Sequence, residues 1–200
     1  MAGLNASILQ NYGGSDSNDL RNIINTESDY DDQSLTVINA SNYHDTKDIV
    51  DKLSNKLHHF KIISFNAESI ASKINEIIIF VELMSTYSIH FDAICINECW
   101  LENFGDDLKI ENYAPFFLTK KVGNKGGLVT YISTNYTVKE INHYTDSNIW
   151  EGQFLEIKGN GLKSKLALGN IYVPPREINY FIESHQLFTP ILNNLSNNYK

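Results

Sequence analysis

Between Phe60 and Glu98 two short apolar runs flank one long amphipathic run, and few folds accept that order. "FKIISFN" (residues 60–66) and "FDAICINE" (residues 91–98) are compact and rich in β-branched and aromatic residues, which is the signature of strands. "SIASKINEIIIFVELMSTY" between them places Ile70, Ile74, Ile77, Ile78, Val81 and Met84 close to i, i+3, i+4, i+7 spacing, the period of a helix with one buried face. Strand, helix and strand joined by short connections imply a right-handed parallel crossover. Five strand-like segments then follow without intervening helices: "NYAPFFLTK", "GGLVTYIS", "YTVKEIN", "WEGQFLEIK" and "SKLALGNIYV", separated by Gly, Asn and Asp. The last two read as a hairpin turned at "GNG". A final amphipathic segment carries Ile178, Phe181, Ile182, His185, Ile191, Leu192 and Leu195 mostly on one face, with Pro190 expected to kink or split it. The fold class is therefore α/β.

The first quarter of the chain has a different texture. Residues 1–56 are rich in Asn, Ser and Asp and show no sustained periodicity, so a polar, largely disordered tail is expected there, with "LTVINA" (35–40) as an isolated strand at most. This segment holds nine acidic against four basic residues, whereas residues 57–200 hold fifteen against twelve. Most of the net charge of −8 thus belongs to the tail. The balance argues against a protein that simply coats nucleic acid, since phosphate binding rests on Lys and Arg. It leaves room for a nuclease, because a site that recruits a divalent cation needs acidic residues and the ion supplies the positive charge.

Cys95 and Cys99 lie four apart in a strand-like stretch, too extended for a disulfide and without a zinc pattern around them. Buried thiols in a reducing compartment are the expected reading. The N-terminus lacks the basic start and apolar run of a signal peptide, and the longest apolar run, "IIIFV", is too short to span a bilayer. An intracellular location, nuclear or cytoplasmic, with no membrane partner, is expected.

Three motifs close the strands: "SFNAES", "INECWL" and "LGNIYVPPR". Asn66, Glu98 and Tyr172 each fall at a strand's carboxyl end, where open α/β sheets gather their ligands in one crevice. Each has a plain alternative. Glu98 suits a solvated strand end, Asn66 a turn residue tolerating positive φ, and Tyr172 a half-buried strand aromatic.

Taken in order with "GGLVTYIS", these motifs resemble the endonuclease/exonuclease/phosphatase superfamily, and within it the apurinic-type endonuclease domains of non-LTR retrotransposons. The resemblance runs from about Phe60 to Lys200. It implies a two-sheet sandwich with outer helices over residues 57–200. It also implies hydrolysis of DNA phosphodiester bonds with Mg²⁺ or Mn²⁺. Glu98 would be the metal ligand, Asn66 would position the phosphate or a metal-bound water, and Tyr172 would donate its hydroxyl to the phosphate. Glu68 falls where related endonucleases often carry a second acidic ligand. Lys120, Lys121 and Lys125 in "KKVGNKGG" are candidate contacts to the nucleic-acid backbone, and Arg176 after the Pro-Pro turn reads equally as a phosphate contact or as a plain surface arginine. "KKVGNKGG" lacks the Gly-Lys-Ser/Thr ending of a phosphate loop and precedes a strand, so it reads as a hairpin turn. In a longer parent protein a reverse transcriptase domain would follow.

The family's Gly-Asp-x-Asn and Ser-Asp-His motifs, which supply the attacking-water site and the base, are missing from these 200 residues. Cys99 stands where relatives usually carry Thr, and Val173 where retrotransposon relatives carry Arg. The expectation is the N-terminal part of such a domain, truncated and inactive by itself. Two other readings stand beside it: a degenerate, non-catalytic interaction fragment, and a family phosphatase acting on phospholipid or inositol phosphate.

Overall fold

The computed structural model describes residues 36–37, 46–54, 59–101, 103, 105–119, 126–146, 150–159, 161–174, 189–195 and 197. The elements in chain order are β1 (Thr36–Val37), α1 (Thr46–Leu53), β2 (Lys61–Asn66), α2 (Ile70–Thr86) and β3 (Ala93–Asn97), followed by a 3₁₀ turn (Asp106–Leu108). Then come β4 (Tyr113–Leu118), β5 (Leu128–Ser133), β6 (Thr137–Asp146), β7 (Trp150–Lys158) and β8 (Leu166–Tyr172). They form two sheets, one ordered β1-β2-β3-β5-β4 and the other β6-β7-β8, so the fold is a mixed α/β arrangement of two sheets with helices.

The expected crossover is present: β2 and β3 pair in parallel, from Ile62 opposite Ala93 to Asn66 opposite Asn97. β5 returns antiparallel beside β3, and β7 and β8 form the hairpin expected at the Gly-Asn-Gly turn. α2 buries Ile70, Ile74, Ile77 and Met84 against Ile63, Ile94 and Ile96 on one face of the first sheet. Each such side chain taken fully from water contributes about 1.5–3 kcal/mol, which is why the helix stays on this face despite the β-branched Ile-rich run it contains.

The opposite face of the first sheet meets the second sheet. Because side chains alternate along a strand, Ala93 and Cys95 on β3 and Ile132 on β5 meet Leu155 and Ile157 on β7 and Leu168 on β8. Two residues further along the same face, the layer changes character. Asn97, Thr130, Glu151, Gln153 and Asn170 are all buried there. The space between the sheets is thus apolar at one end and polar at the other. At the apolar end Asp92 closes the layer, accepting from the Lys61 backbone N–H at 2.7 Å and the Tyr136 hydroxyl at 2.6 Å.

Beyond the second sheet, Trp150, Phe154 and Ile171 pack with Leu195 of a helical segment at 189–195. Trp150 is a packing residue, 3% exposed. Ile178, Phe181, Ile182 and His185 lie outside the described residues. Both cysteines are free and buried, and burial pushes the Cys95 thiol up to about 12 and Cys99 up as well.

Two features appear upstream of residue 57, where a tail was expected. Thr36 and Val37 pair in parallel with Lys61 and Ile62 as an edge strand. Ile49 and Leu53 of α1 are buried in the core that α2 builds, Leu53 to 2% exposure. The sequence signal for α1 is a single i, i+4 pair, Ile49 and Leu53. The rest of residues 1–56 lies outside the described residues.

Candidate active site

The parallel ladder does not stop at Asn66 and Asn97. The Ala67 N–H donates to the Asn97 carbonyl at 3.0 Å, Ser69 to Glu98 at 2.9 Å and Ile70 to Cys99 at 3.1 Å. Ser69 and Ile70 begin α2, whose first N–H groups have no partner within the helix, so the 98–99 backbone serves as their cap. On the other side Cys99 donates to the Gly127 carbonyl at 3.1 Å and Trp100 to that of Gly126 at 2.8 Å. The turn after β3 is therefore clamped by both neighbouring segments.

That clamp holds an unusual backbone. Glu98 and Trp100 both sit at φ 53, and Glu68 and Ser69 at φ 46 and 100. Left-handed non-glycine residues cost free energy and persist where the surroundings over-determine them, as the five bonds above do here. Gly127 also has a left-handed φ of 86, and a Cβ there would meet the Leu118 carbonyl oxygen at 3.2 Å. Glycine suits this left-handed position and the close approach to the end of β4.

The three residues at the strand ends meet. The Asn66 amide donates from Nδ2 to Glu98 Oε1 at 3.0 Å, and the Tyr172 hydroxyl donates to the same oxygen at 2.5 Å. Two donors on one carboxylate oxygen fix the position of the side chain. Both bonds fall on Oε1. Tyr172 itself is held protonated: burial pushes its phenol well up, reinforced by the bond to Glu98 and by the charges of Glu98, Glu151 and Glu68. A neutral tyrosine can donate a hydrogen bond.

Glu68 is exposed at the start of the β2–α2 connection, and its charge is felt at Tyr172 although it takes no part in the Glu98 hydrogen bonds. Lys120, Lys121, Lys125 and Arg176 lie outside the described residues. A buried acidic residue escaped the sequence reading. Glu151, 2% exposed on β7, accepts from the Gly127 N–H at 2.6 Å and stands opposite Tyr172 in the β7–β8 register. The available signal was its place two residues before Gln153 and four before Leu155, on the strand face that turns inward.

A divalent metal, implied by the resemblance, fits this donor set within limits. Among the described residues no three His, Cys, Asp or Glu side chains cluster as a metal cage. Mg²⁺ does not need one, because it binds through one or two carboxylates, keeps several waters and takes the rest of its ligands from phosphate. Glu98 offers the carboxylate, and Asn66 the amide oxygen left over from its bond to Glu98.

No model of a known protein family matches the chain, and no curated protein matches it. Among solved structures it is similar to a humanized D. rerio TDP2 carrying 14 mutations, with 15% identity and a TM-score of 0.44 over 67% of this chain and 55% of that one. It is also similar to the human Nocturnin catalytic domain with a bound sulfate anion, with 13% identity and a TM-score of 0.41 over 64% of this chain and 58% of that one. The chain spans little more than half the length of either structure.

Proposed function

We propose that the chain carries the metal- and phosphate-binding half of a phosphodiester hydrolase site of the endonuclease/exonuclease/phosphatase superfamily, of the type that nicks DNA in non-LTR retrotransposition. The observation that carries this reading is the shared oxygen: Asn66 and Tyr172, brought from opposite sheets, both donate to Glu98 Oε1. Such an arrangement is costly for a merely solvated strand end, since it fixes three side chains and a left-handed backbone.

Glu98, with Asn66, would hold Mg²⁺ or Mn²⁺, which when bound supplies charge neutralisation at the phosphate and the leaving oxygen. Asn66 and Tyr172 hold the carboxylate in place. Tyr172 has one hydrogen bond to donate and gives it to Glu98 here; turned to a phosphoryl oxygen, the same neutral phenol would stabilise the negative charge that grows there, an electrostatic role. Glu68 adds negative charge beside the site and is a second carboxylate for the cation. Lys120, Lys121, Lys125 and Arg176 supply contacts to the DNA backbone in this reading, and a reverse transcriptase domain is the partner expected in a longer protein.

These 200 residues hold no Gly-Asp-x-Asn and no Ser-Asp-His. When a catalytic group acts as a unit, losing one member costs nearly as much as losing all. The polypeptide is therefore expected to bind cation and DNA while turning over little or none. The test is binding of a short DNA duplex with and without Mg²⁺, together with nicking of supercoiled plasmid, for the wild type and Glu98→Ala. Affinity that rises with Mg²⁺ only when Glu98 is present supports the proposal, and so does Glu98-dependent nicking, which would overturn only the expected inactivity. DNA affinity indifferent to Mg²⁺ and to Glu98 would leave an interaction fragment. Release of phosphate from phosphomonoesters would favour the phosphatase reading.

A further inference from the structure

The site depends on two sheets keeping register, because Glu98 follows β3 in one and Tyr172 ends β8 in the other. We propose that Glu151 is the positioning residue that sets this register, coupling the strand beside Tyr172 to the turn that carries Glu98. The inference rests on the reading of Glu98 and Tyr172 as the working pair.

The coupling is a chain of contacts. Glu151 pairs with Tyr172 across β7 and β8, so the two residues move together. Its carboxylate crosses to the first sheet and accepts from the Gly127 N–H at 2.6 Å. The Gly127 carbonyl in turn accepts from the Cys99 N–H at 3.1 Å, the residue next to Glu98. Gly127 is packed close to this turn, since a Cβ on it would lie 3.9 Å from the Cys99 side chain and from the Trp100 nitrogen. One carboxylate, one peptide unit and one further hydrogen bond thus connect the two halves of the site.

A second cross-link lies deeper: Asn170 donates to Thr130 Oγ1 at 3.1 Å and to the Val129 carbonyl at 3.4 Å. That amide bond anchors the sheets, but Asn170 is two residues from Tyr172, and its contact lies on β5 rather than on the segment bonded to the Glu98 turn. Glu151 is the nearer and the charged link. A hydrogen bond to an ionised acceptor is roughly twice as strong as a neutral one, and buried at 2% exposure it is shielded from competing water. The negative charge of Glu151 also acts on Tyr172 directly, adding to the forces that keep the phenol protonated.

The test reads Tyr172 without requiring turnover or metal. Protein labelled with ¹³C at the tyrosine ζ carbon reports the hydrogen bond at each phenol, and Tyr172→Phe identifies the Tyr172 resonance. In Glu151→Ala that resonance is expected to move toward its position in Glu98→Ala, whereas Glu151→Gln, whose amide oxygen still accepts from Gly127, restores most of it. Leu155→Val, on the same face of β7, loosens the core but leaves the resonance in place. In parallel, Mn²⁺ alone should bind Glu151→Ala about 10–100-fold more weakly than wild type, the range found when outer-shell partners of metal ligands are removed.

A folded Glu151→Ala with the wild-type Tyr172 resonance would overturn the inference. So would a Leu155→Val variant that shifts it as far, because the effect would then be general loosening. If Glu151→Ala does not fold, Glu151→Asp decides: it keeps the charge but shortens the reach, so a shifted resonance supports the coupling and an unshifted one refutes it. Should wild-type protein bind no Mn²⁺ while the resonance follows Glu151 as described, the functional reading fails and the coupling stands.

Discussion

Glu98→Gly and Glu98→Ala remove the same carboxylate and differ only in what they do to the backbone. Both lose the bonds from Tyr172 and Asn66. The Asn66 bond is exposed and is taken at the low end, about 0.5 kcal/mol, while the half-buried, charge-assisted bond from Tyr172 is taken at about 1.5 kcal/mol. Glu98→Ala should therefore cost about 2 kcal/mol. At φ 53 an L-residue carries a penalty of about 1–2 kcal/mol that glycine avoids. Against this, glycine loosens the unfolded chain, which offsets about 0.4–1 kcal/mol of the gain. The glycine variant should accordingly be more stable than the alanine variant by about 0.5–1 kcal/mol, although it carries no more of the site. Urea denaturation at pH 7 measures both, with equal slopes required before the midpoints are compared. A glycine variant less stable than the alanine variant would show that the left-handed turn is not a source of strain. The idea that this backbone is maintained for the sake of the site would then lose its support.

Leu53→Ala should destabilise the fold by about 3 kcal/mol, because Leu53 is buried in the main core; a loss below about 0.5 kcal/mol in thermal or urea unfolding would mean that α1 is not part of it. Gly127→Ala should cost about 2 kcal/mol through its left-handed φ and the 3.2 Å approach to Leu118, with the Glu98 amide resonance shifting in the same spectra; an unperturbed Glu98 amide would contradict the clamp. Alkaline pH should destabilise the protein. Cys95 rises from 9.0 to about 12 and Tyr113 from 10.0 to about 12, with Cys99, Tyr131 and Tyr172 raised as well. The unfolded chain therefore loses these protons first. Their stabilisation is complete below pH 9 and is lost as pH rises toward the folded values. Cys95→Ala should flatten the decline in unfolding free energy, measured by urea, between pH 9 and 12 by up to about 1.4 kcal/mol per pH unit, and an unchanged slope would contradict the burial of that thiol.

The elements from β2 onward were legible because each is either amphipathic at the helical period, as α2 is, or a short apolar run bounded by turn residues, as β3 and β5 are. Ile70, Ile74, Ile77 and Met84 announce a helix, and the β-branched runs ending at Asn66 and Asn97 announce paired strands. The meeting of Asn66, Glu98 and Tyr172 was legible as well, since parallel β2 and β3 and the returning β8 bring their carboxyl ends to one edge. α1 was not legible: its two core residues, Ile49 and Leu53, are one i, i+4 pair in an acidic, Asn-rich context, and only the core formed by α2 gives them a place. Glu151 was hidden for a similar reason. Its partner is a backbone N–H 24 residues away on another sheet, so no local pattern distinguishes it from a solvated strand carboxylate. What the sequence did contain was the alternation Glu151, Gln153, Leu155, Ile157, a single inward face that turns from polar to apolar along β7. Lys120, Lys121, Lys125 and Arg176 rested on the resemblance alone.

The most direct measurement is a titration of ¹⁵N-labelled protein with sub-stoichiometric Mn²⁺, read as paramagnetic broadening of backbone amides. The account predicts broadening centred on residues 66–68, 98–100 and 172, displaced by excess Mg²⁺ and abolished in Glu98→Ala. Broadening scattered over exposed carboxylates such as Asp106 and Glu111, and unchanged in Glu98→Ala, would contradict it.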